Sequence, residues 1–282
     1  RASARTIEHP FLLLSSPHTS KVRHNESTEM QLLTIITPRL KASIIPARHL
    51  LRNVHRRRCL SSSLTPTQND HATPLTSPDG SVTAVPINFA TSSAIEGDES
   101  QILIVDLAPN QILRAESGAM IYMTDGVSMN TSMGGGGVKS GVSRLLTGMN
   151  MFLSDYSYTA PPAPADGSSR GQVALGTEFP SKIVRLNVSE MGGKIVAQRG
   201  AVLAYSHTVE VGMEFTKKLT AGFFGGEGFV LQKLTGDGDV FVKAGGVVIE
   251  RRLAEGEELR VSSGSLVAME GDVEFDVGMM PG

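Results

Sequence analysis

Cysteine occurs once in the 282 residues, at Cys59, and tryptophan not at all. One thiol forms no disulfide within the chain and builds no Cys-based zinc site. Six of the seven histidines lie before residue 81, so the rest of the chain holds only His207. A histidine-rich metal centre and a cysteine nucleophile are therefore excluded from the body. No apolar run approaches the ~18 residues a membrane-crossing helix needs, and the longest uncharged apolar patches are strand-length. Nucleotide motifs are also missing. Gly134–Gly137 precede Val138-Lys139-Ser140, but a phosphate loop needs Gly directly before Lys-Ser/Thr, and Val138 intervenes. That stretch reads as a surface loop. GFFGGEG, residues 222–228, lacks the βαβ surroundings of a dinucleotide fingerprint and reads as a helix exit with packed glycines.

Acidic residues are absent from one long stretch. From Met30, the first methionine, to Leu64 there are seven Lys+Arg and no Asp or Glu. Ile44, Ile45, Leu50, Leu51 and Val54 fit one face of a helix, with Arg48, Arg52, Arg56, Arg57 and Arg58 mostly elsewhere. This is the composition of a mitochondrial transit peptide; a chloroplast address and a nucleic-acid-binding arm at Arg56–Arg58 are the alternatives. Arg58-Cys59-Leu60-Ser61 matches a processing pattern with Arg three residues before the cut, which places cleavage after Leu60. Residues 1–29 are expected to be a disordered upstream extension outside the native protein. Residues 30–60 are expected to be the presequence. Residues 61–84, rich in Ser, Thr and Pro, read as a disordered linker. Residues 81–282 hold 15 Lys+Arg against 23 Asp+Glu, a net charge of −8. A body of that sign is a poor ligand for nucleic-acid phosphates.

The body, 85–282, repeats itself. LAPNQILRAESGAMIYM (107–123) aligns without a gap on LAEGEELRVSSGSLVAM (253–269), and VSEMGGKIVAQRGAVLAY (188–205) follows the same plan with one extra residue. Gly118, Gly200 and Gly264 recur before a small residue, and Val127, Val209 and Val273 follow nine positions later. Each copy reads as strand, turn, strand, tight glycine, strand. ILIVDL, KIVRLNV and GVVIERRL are Ile/Val/Leu-rich and too short for helices, so buried strands are expected. The turns Pro109-Asn110, Gly192-Gly193 and Glu255-Gly256 have hairpin chemistry. The recurring glycine is expected to allow a kink or a close backbone approach. A second half-module follows: residues 226–246 read as a hairpin around Gly236-Asp237-Gly238, and 150–176 as its weaker counterpart. The third copy shows none, which leads to the expectation of a domain truncated at its C-terminus. Short helices are expected around Val138–Met149 and Phe215–Phe223.

Candidate chemistry is sparse. Asp237 and Asp239 invite a cation site, but calcium needs six or more oxygens, so solvated turn residues are expected. Glu255, Glu257 and Glu258 read as a solvated turn. His207 beside Ser206 invites a triad, yet a lone histidine beside a turn reads as structural. No catalytic, cofactor-binding or metal-binding residue is assigned, and no cofactor is expected.

The motifs GAMIYM, GVSMNTSM, VAQRGAVLAY, AGFFGGEGFVLQKLTGDGDVFVKAGG and LRVSSGSLVAM, in this order, resemble the altered inheritance of mitochondria protein 24 family over about residues 95–282. The resemblance implies an all-β fold of the tryptophan-RNA-binding-attenuator type, with three repeated units in a pseudo-threefold arrangement and few short helices. It does not imply RNA binding. It further implies a non-enzymatic mitochondrial protein, peripheral to the inner membrane, that supports cristae organisation and respiratory-chain integrity as a scaffold or binding module. A small-molecule-binding protein or carboxylate-based enzyme is the alternative. The expected partner is the inner-membrane organising complex or an anionic lipid surface, and a homo-oligomer is compatible with this. The candidate contact residues are Lys139, Arg144, Lys217, Lys218, Phe223 and Phe224, because cations beside apolar side chains suit an anionic surface.

Overall fold

A computed structural model describes residues 10–15, 31–36, 84–132, 153–159, 170–214 and 231–279. Two strands lie ahead of the body, β1 (Phe11–Ser15) and β2 (Gln31–Ile36). A single helical turn, α1 (Phe89–Ser92), opens the body and leads into β3 (Ser93–Glu96). Asn88 caps that turn by accepting from the Ala90 N–H at 3.1 Å, and Phe89 plugs the core edge-on against Phe241, with ring centroids 5.1 Å apart. The first unit holds β4 (Ile102–Leu107), β5 (Ile112–Glu116), β6 (Met120–Met123), β7 (Val127–Ser132), β8 (Leu153–Tyr158) and β9 (Gly171–Leu175). The second holds β10 (Ser181–Asn187), β11 (Lys194–Gln198), β12 (Val202–Ser206), β13 (Val209–Glu214), β14 (Leu231–Gly236) and β15 (Asp239–Gly245). The third holds β16 (Val248–Arg252), β17 (Glu258–Ser262), β18 (Leu266–Glu270) and β19 (Glu274–Met279). The fold is all-β in three units, as the repeat implies.

The turns between these strands are mostly corners, which corrects the hairpin reading. β4 pairs with β3 and β9, whereas β5 pairs with β8 and β12. β14 pairs with β11 and β13, whereas β15, directly after Gly236-Asp237-Gly238, pairs with β10 and β12. At each such turn the chain leaves one sheet for another. That change of direction needs backbone on the left-handed side, so Asn110 (φ +66°), Gly118, Gly192, Gly193, Gly200, Gly236, Gly238 and Gly256 all have positive φ. Turn composition signals a reversal, but it does not distinguish a hairpin from a corner.

The units interleave. Strands of units one and two share a sheet in the order β10-β15-β12-β5-β8-β7, and those of units two and three share β13-β14-β11-β18-β1-β16. The third side consists of two separate pieces, β3-β4-β9-β6 and β17-β2-β19. The register repeats as well. Each third-position strand carries a bulge two or three residues past the repeat glycine, between Met120 and Tyr122, Val202 and Ala204, and opposite Leu13/Leu14 on β18. Val127, Val209 and Val273 are buried in all three units.

The third unit receives its last two strands from an unexpected place. β9 and β15 each pair with the first and third strands of their unit, and β8 and β14 with the second and fourth. In unit three β1 pairs with β16 and β18, and β2 with β17 and β19, in equivalent registers. Phe11–Ser15 therefore lies within the fold, not in a disordered extension, and Gln31–Ile36 of the expected presequence is strand. The physical reason is apolar: Leu12, Leu13 and Ile35 are fully buried; Leu12 and Ile35 cluster with Met269, Leu266 and Val196, and Leu13 with Phe11, Val267 and Ala268. FLLL and QLLTII are short apolar runs inside a stretch whose overall composition is basic.

Two further differences concern single elements. β16, expected to be buried, is largely exposed over Ile249–Arg252, because it forms the edge of its sheet. The recurring glycine does not serve a close approach. A Cβ at Gly118, Gly200 or Gly264 would meet nothing within 4 Å; positive φ is what requires glycine at the first two, and Gly264 has neither constraint. The helices expected at 138–149 and 215–223 lie outside the described residues.

Candidate functional site

The three repeat glycines converge on one end of the molecule. Gly118 lines a cavity of about 340 Å³, and Gly200 and Gly264 line a neighbouring one of about 510 Å³. Glu116, Glu178 and Lys243 belong to the walls of both. The convergence follows from the repeat: each glycine turn joins the second strand of its unit to the third, so the three equivalent turns line two cavities with shared walls.

Lys243 sits at the boundary between the cavities. It lies within β15, a strand buried along its whole length, and its backbone N–H donates to the Ala201 carbonyl at 2.7 Å, as that of Gly176 does to Ala119 at 2.8 Å in the first unit. Where the first unit has Gly176, the second thus has a lysine. Its ammonium donates to a Glu116 carboxylate oxygen. A buried ammonium requires such a partner, because desolvation without one costs several kcal/mol, on the order of 3–5 when a pair is broken. Ser100 and Gln101 add polar wall to the smaller cavity, and Gln198, Arg199 and Ser15 of β1 to the larger. The arrangement is suited to holding a small polar molecule by hydrogen bonds.

The candidates from the sequence fall elsewhere. Asp239 is buried, not solvated: it accepts from Arg185 Nε at 3.1 Å and Nη2 at 3.2 Å and from Asn187 Nδ2 at 3.1 Å. The Arg–Asp fork joins β10 to β15 and replaces the solvated-turn expectation with a structural ion pair. Asp237 stays at the corner, accepting from Ser189 Oγ at 2.6 Å. Glu257 accepts from Arg251 Nη2 and from the Ala254 N–H, while Glu255 and Glu258 are exposed. No group of three or more His, Cys, Asp or Glu able to hold a metal ion occurs among the described residues.

His207 is half-buried, with its Nδ1 enclosed and unpartnered among the described residues. Burial pushes its pKa below the ordinary imidazole value; the Arg114 guanidinium acts in the same direction and the Asp155 carboxylate opposes. Arg114 and Asp155 themselves pair at 3.1 Å between β5 and β8. No nucleophile is bonded to His207 among the described residues. Tyr156 is fully buried, and burial raises its hydroxyl pKa, with Ser154 opposing. The contact candidates Lys139, Arg144, Lys217, Lys218, Phe223 and Phe224 lie outside the described residues. The Lys243–Glu116 pair was missed by the sequence reading; its one trace was a lysine inside the apolar run DVFVKAG.

Comparison with known proteins supplies the remaining information. Residues 93–282 match the family described as mitochondrial biogenesis AIM24. The chain is similar to an uncharacterized protein of Streptococcus pyogenes serotype M6, 26% identical over 180 residues, covering 63% of this chain and 69% of that protein. A crystal structure of another Streptococcus pyogenes protein aligns with a TM-score of 0.43 at 17% identity, covering 67% of this chain and 92% of its own.

Proposed function

This chain belongs to the AIM24 family, named for mitochondrial biogenesis, and from that premise we propose that it is a non-enzymatic scaffold of the mitochondrial inner membrane. In this reading it supports cristae organisation and respiratory-chain integrity by binding, peripherally, an organising complex or an anionic lipid surface. The family match over residues 93–282 carries the reading. The acid-free Arg-rich segment before residue 65 agrees with it, and so does an interleaved three-unit frame, which holds surface patches at fixed separations.

The test is complementation. Cells lacking their own family member receive the full chain, and mitochondria are assayed for its presence, for cristae by electron microscopy and for assembled respiratory complexes. The expected result is mitochondrial residence with cristae restored, and a mature N-terminus near Ser61. A chain that stays outside mitochondria, or that enters and restores neither cristae nor complexes, would sink the reading. Flotation with cardiolipin-containing vesicles, comparing the chain with Lys217→Glu/Lys218→Glu, separates lipid from protein as the partner.

One observation favours a second reading, binding of a small polar molecule: the paired cavities at Lys243–Glu116. Native mass spectrometry of protein purified from mitochondria checks it. A stoichiometric adduct lost in Lys243→Met supports it, and the absence of an adduct from both proteins removes it.

A further inference from the structure

Two of the three junctions between units are closed by strand pairing, and each uses an alanine pair. At the junction of units one and two, β12 pairs with β5 through Ala204↔Ala115. At that of units two and three, β11 pairs with β18 through Ala197↔Ala268. All four alanines are fully buried. The repeat places β6 of unit one and β17 of unit three in the same relation, yet they end separate sheets, β3-β4-β9-β6 and β17-β2-β19.

The consequence for β6 is large. Leu203, Ala204 and Tyr205 of β12 are 0%, 0% and 2% exposed, and Val267, Ala268 and Met269 of β18 are 3%, 0% and 1% exposed. Their counterparts Ile121, Tyr122 and Met123 are 54%, 41% and 39% exposed. This edge has none of the usual protection, since it carries no charge and no proline over its whole length. An apolar, uncharged strand edge is one built to be covered.

The register of the two closed junctions fixes what would cover it. Aligned on the glycines, Ala204 and Ala268 correspond to Tyr122, and Ala115 and Ala197 correspond to Val261. Met123 then faces Arg260, and Thr124 faces Leu259. We propose that β6 and β17 form a latch: they close the third junction through Tyr122↔Val261, and this junction opens more readily than the other two. The reason for its weakness is steric. Side chains directly opposite across strands have Cβ atoms about 5 Å apart on the same face. Two methyl groups fit there between packed sheets, whereas a tyrosine ring and an isopropyl group do not fit without displacing one strand. Part of the ring's bulk is absorbed on the other side, where Tyr122 faces Ala174 while its counterpart Ala204 faces Phe241. The Tyr122 hydroxyl meanwhile donates to Gln172 Oε1 at 2.8 Å, which holds the ring outward in the open form. Opening bares the Met120–Met123 edge and closing withdraws it, so the molecule carries one strand edge that is available only part of the time. This device stands independently of the scaffold reading.

Cross-strand cysteines test it, because pairs at this spacing meet disulfide geometry. In a Cys59→Ser background, Tyr122→Cys/Val261→Cys is oxidised mildly and run on a non-reducing gel and by size exclusion. The expected product is a monomeric disulfide in most of the protein, with a higher melting temperature than its reduced form. A disulfide found only between two chains would assign the edge to a second copy and overturn the latch. No disulfide in folded protein would overturn it as well. Hydrogen exchange of the unmodified chain provides a second readout that needs no folding of that variant. Tyr122→Ala is expected to slow exchange of the Met120–Met123 amides about tenfold relative to the unsubstituted chain. Equal or faster exchange would mean that steric bulk does not hold the junction open.

Discussion

Lys243 reaches across 127 positions of sequence to place its ammonium on the Glu116 carboxylate, tying the last strand of the second unit to the second strand of the first. The lysine side chain is almost fully buried, and the glutamate is about one-third exposed. The two partners are therefore unequal in what their loss leaves behind.

Glu116→Gln strands a buried cation, whereas Lys243→Met removes the charge and leaves an apolar chain in an apolar strand. Glu116→Gln should lower unfolding free energy by about 1–3 kcal/mol, moderated by the exposure of the carboxylate. Lys243→Met should stay within about 1 kcal/mol of the parent. Urea denaturation of both proteins checks this, and equal losses would show that the pair, not the stranded cation, carries the energy.

The recurring glycines should separate into two kinds. Gly118 and Gly200 have φ of +89° and +79°, and no neighbour crowds them. Alanine there is strained by its own backbone, at about 1–2 kcal/mol each. Gly264→Ala is expected to be neutral, or stabilising by up to ~1 kcal/mol through a less flexible unfolded chain. Thermal melts of the three single variants read this directly. A loss at Gly264 equal to the other two would require a constraint absent from the structure.

His207 should make stability pH-dependent. Its folded pKa lies below the unfolded value, so the unfolded chain takes up the proton first as pH falls. The contribution is complete above the unfolded pKa of about 6.5 and is lost as pH drops from there through the depressed folded value. Between pH 7 and pH 5 the parent should lose more stability than His207→Gln. Parallel stability–pH curves for the two proteins would show that the imidazole titrates alike in both states.

Removal of residues 1–36 should damage the third unit selectively. It takes away β1 and β2, together with the buried Leu12, Leu13 and Ile35, each worth about 1.5–3 kcal/mol of burial. It also uncovers Leu253, Leu266 and Met269. The shortened chain should bind more of a hydrophobic dye and melt several degrees lower, with exchange accelerated in β16–β19 and little changed in β10–β15. Processing after Leu60 would remove the same strands, so the precursor and the processed chain are expected to differ in this region. Unchanged exchange in β16–β19 would show that the N-terminal strands contribute nothing to the unit.

Much of the architecture is legible in the residues. Gly118, Gly200 and Gly264 at a fixed offset from Val127, Val209 and Val273 reveal three units, because each unit must solve the same local problem. That problem is to turn the chain from one sheet to another, through positive φ at Gly118 and Gly200, and then bury a valine nine positions on. Short Ile/Val/Leu runs such as ILIVDL identify strands for a similar reason, since they are too brief for a helix and apolar enough to pack. Composition alone also excludes cysteine chemistry and a histidine metal centre from the body.

Partnership was decided by the tertiary structure. Whether Gly236-Asp237-Gly238 closes a hairpin or turns a corner depends on which sheets are near, and no residue in the turn records that. Asp239 looks like a solvated turn residue until Arg185, 54 positions away, is brought beside it by strand pairing. Glu116 and Lys243 are unremarkable in the sequence and become a buried ion pair only where two units meet. FLLL and QLLTII belong to a basic head by composition, yet they fill the two strand positions of the third unit, because an unpaired strand edge takes whatever apolar segment the chain can bring to it. Local residue chemistry sets φ, strand and burial preference within a few positions, whereas long-range hydrogen bonding and desolvation select the partner.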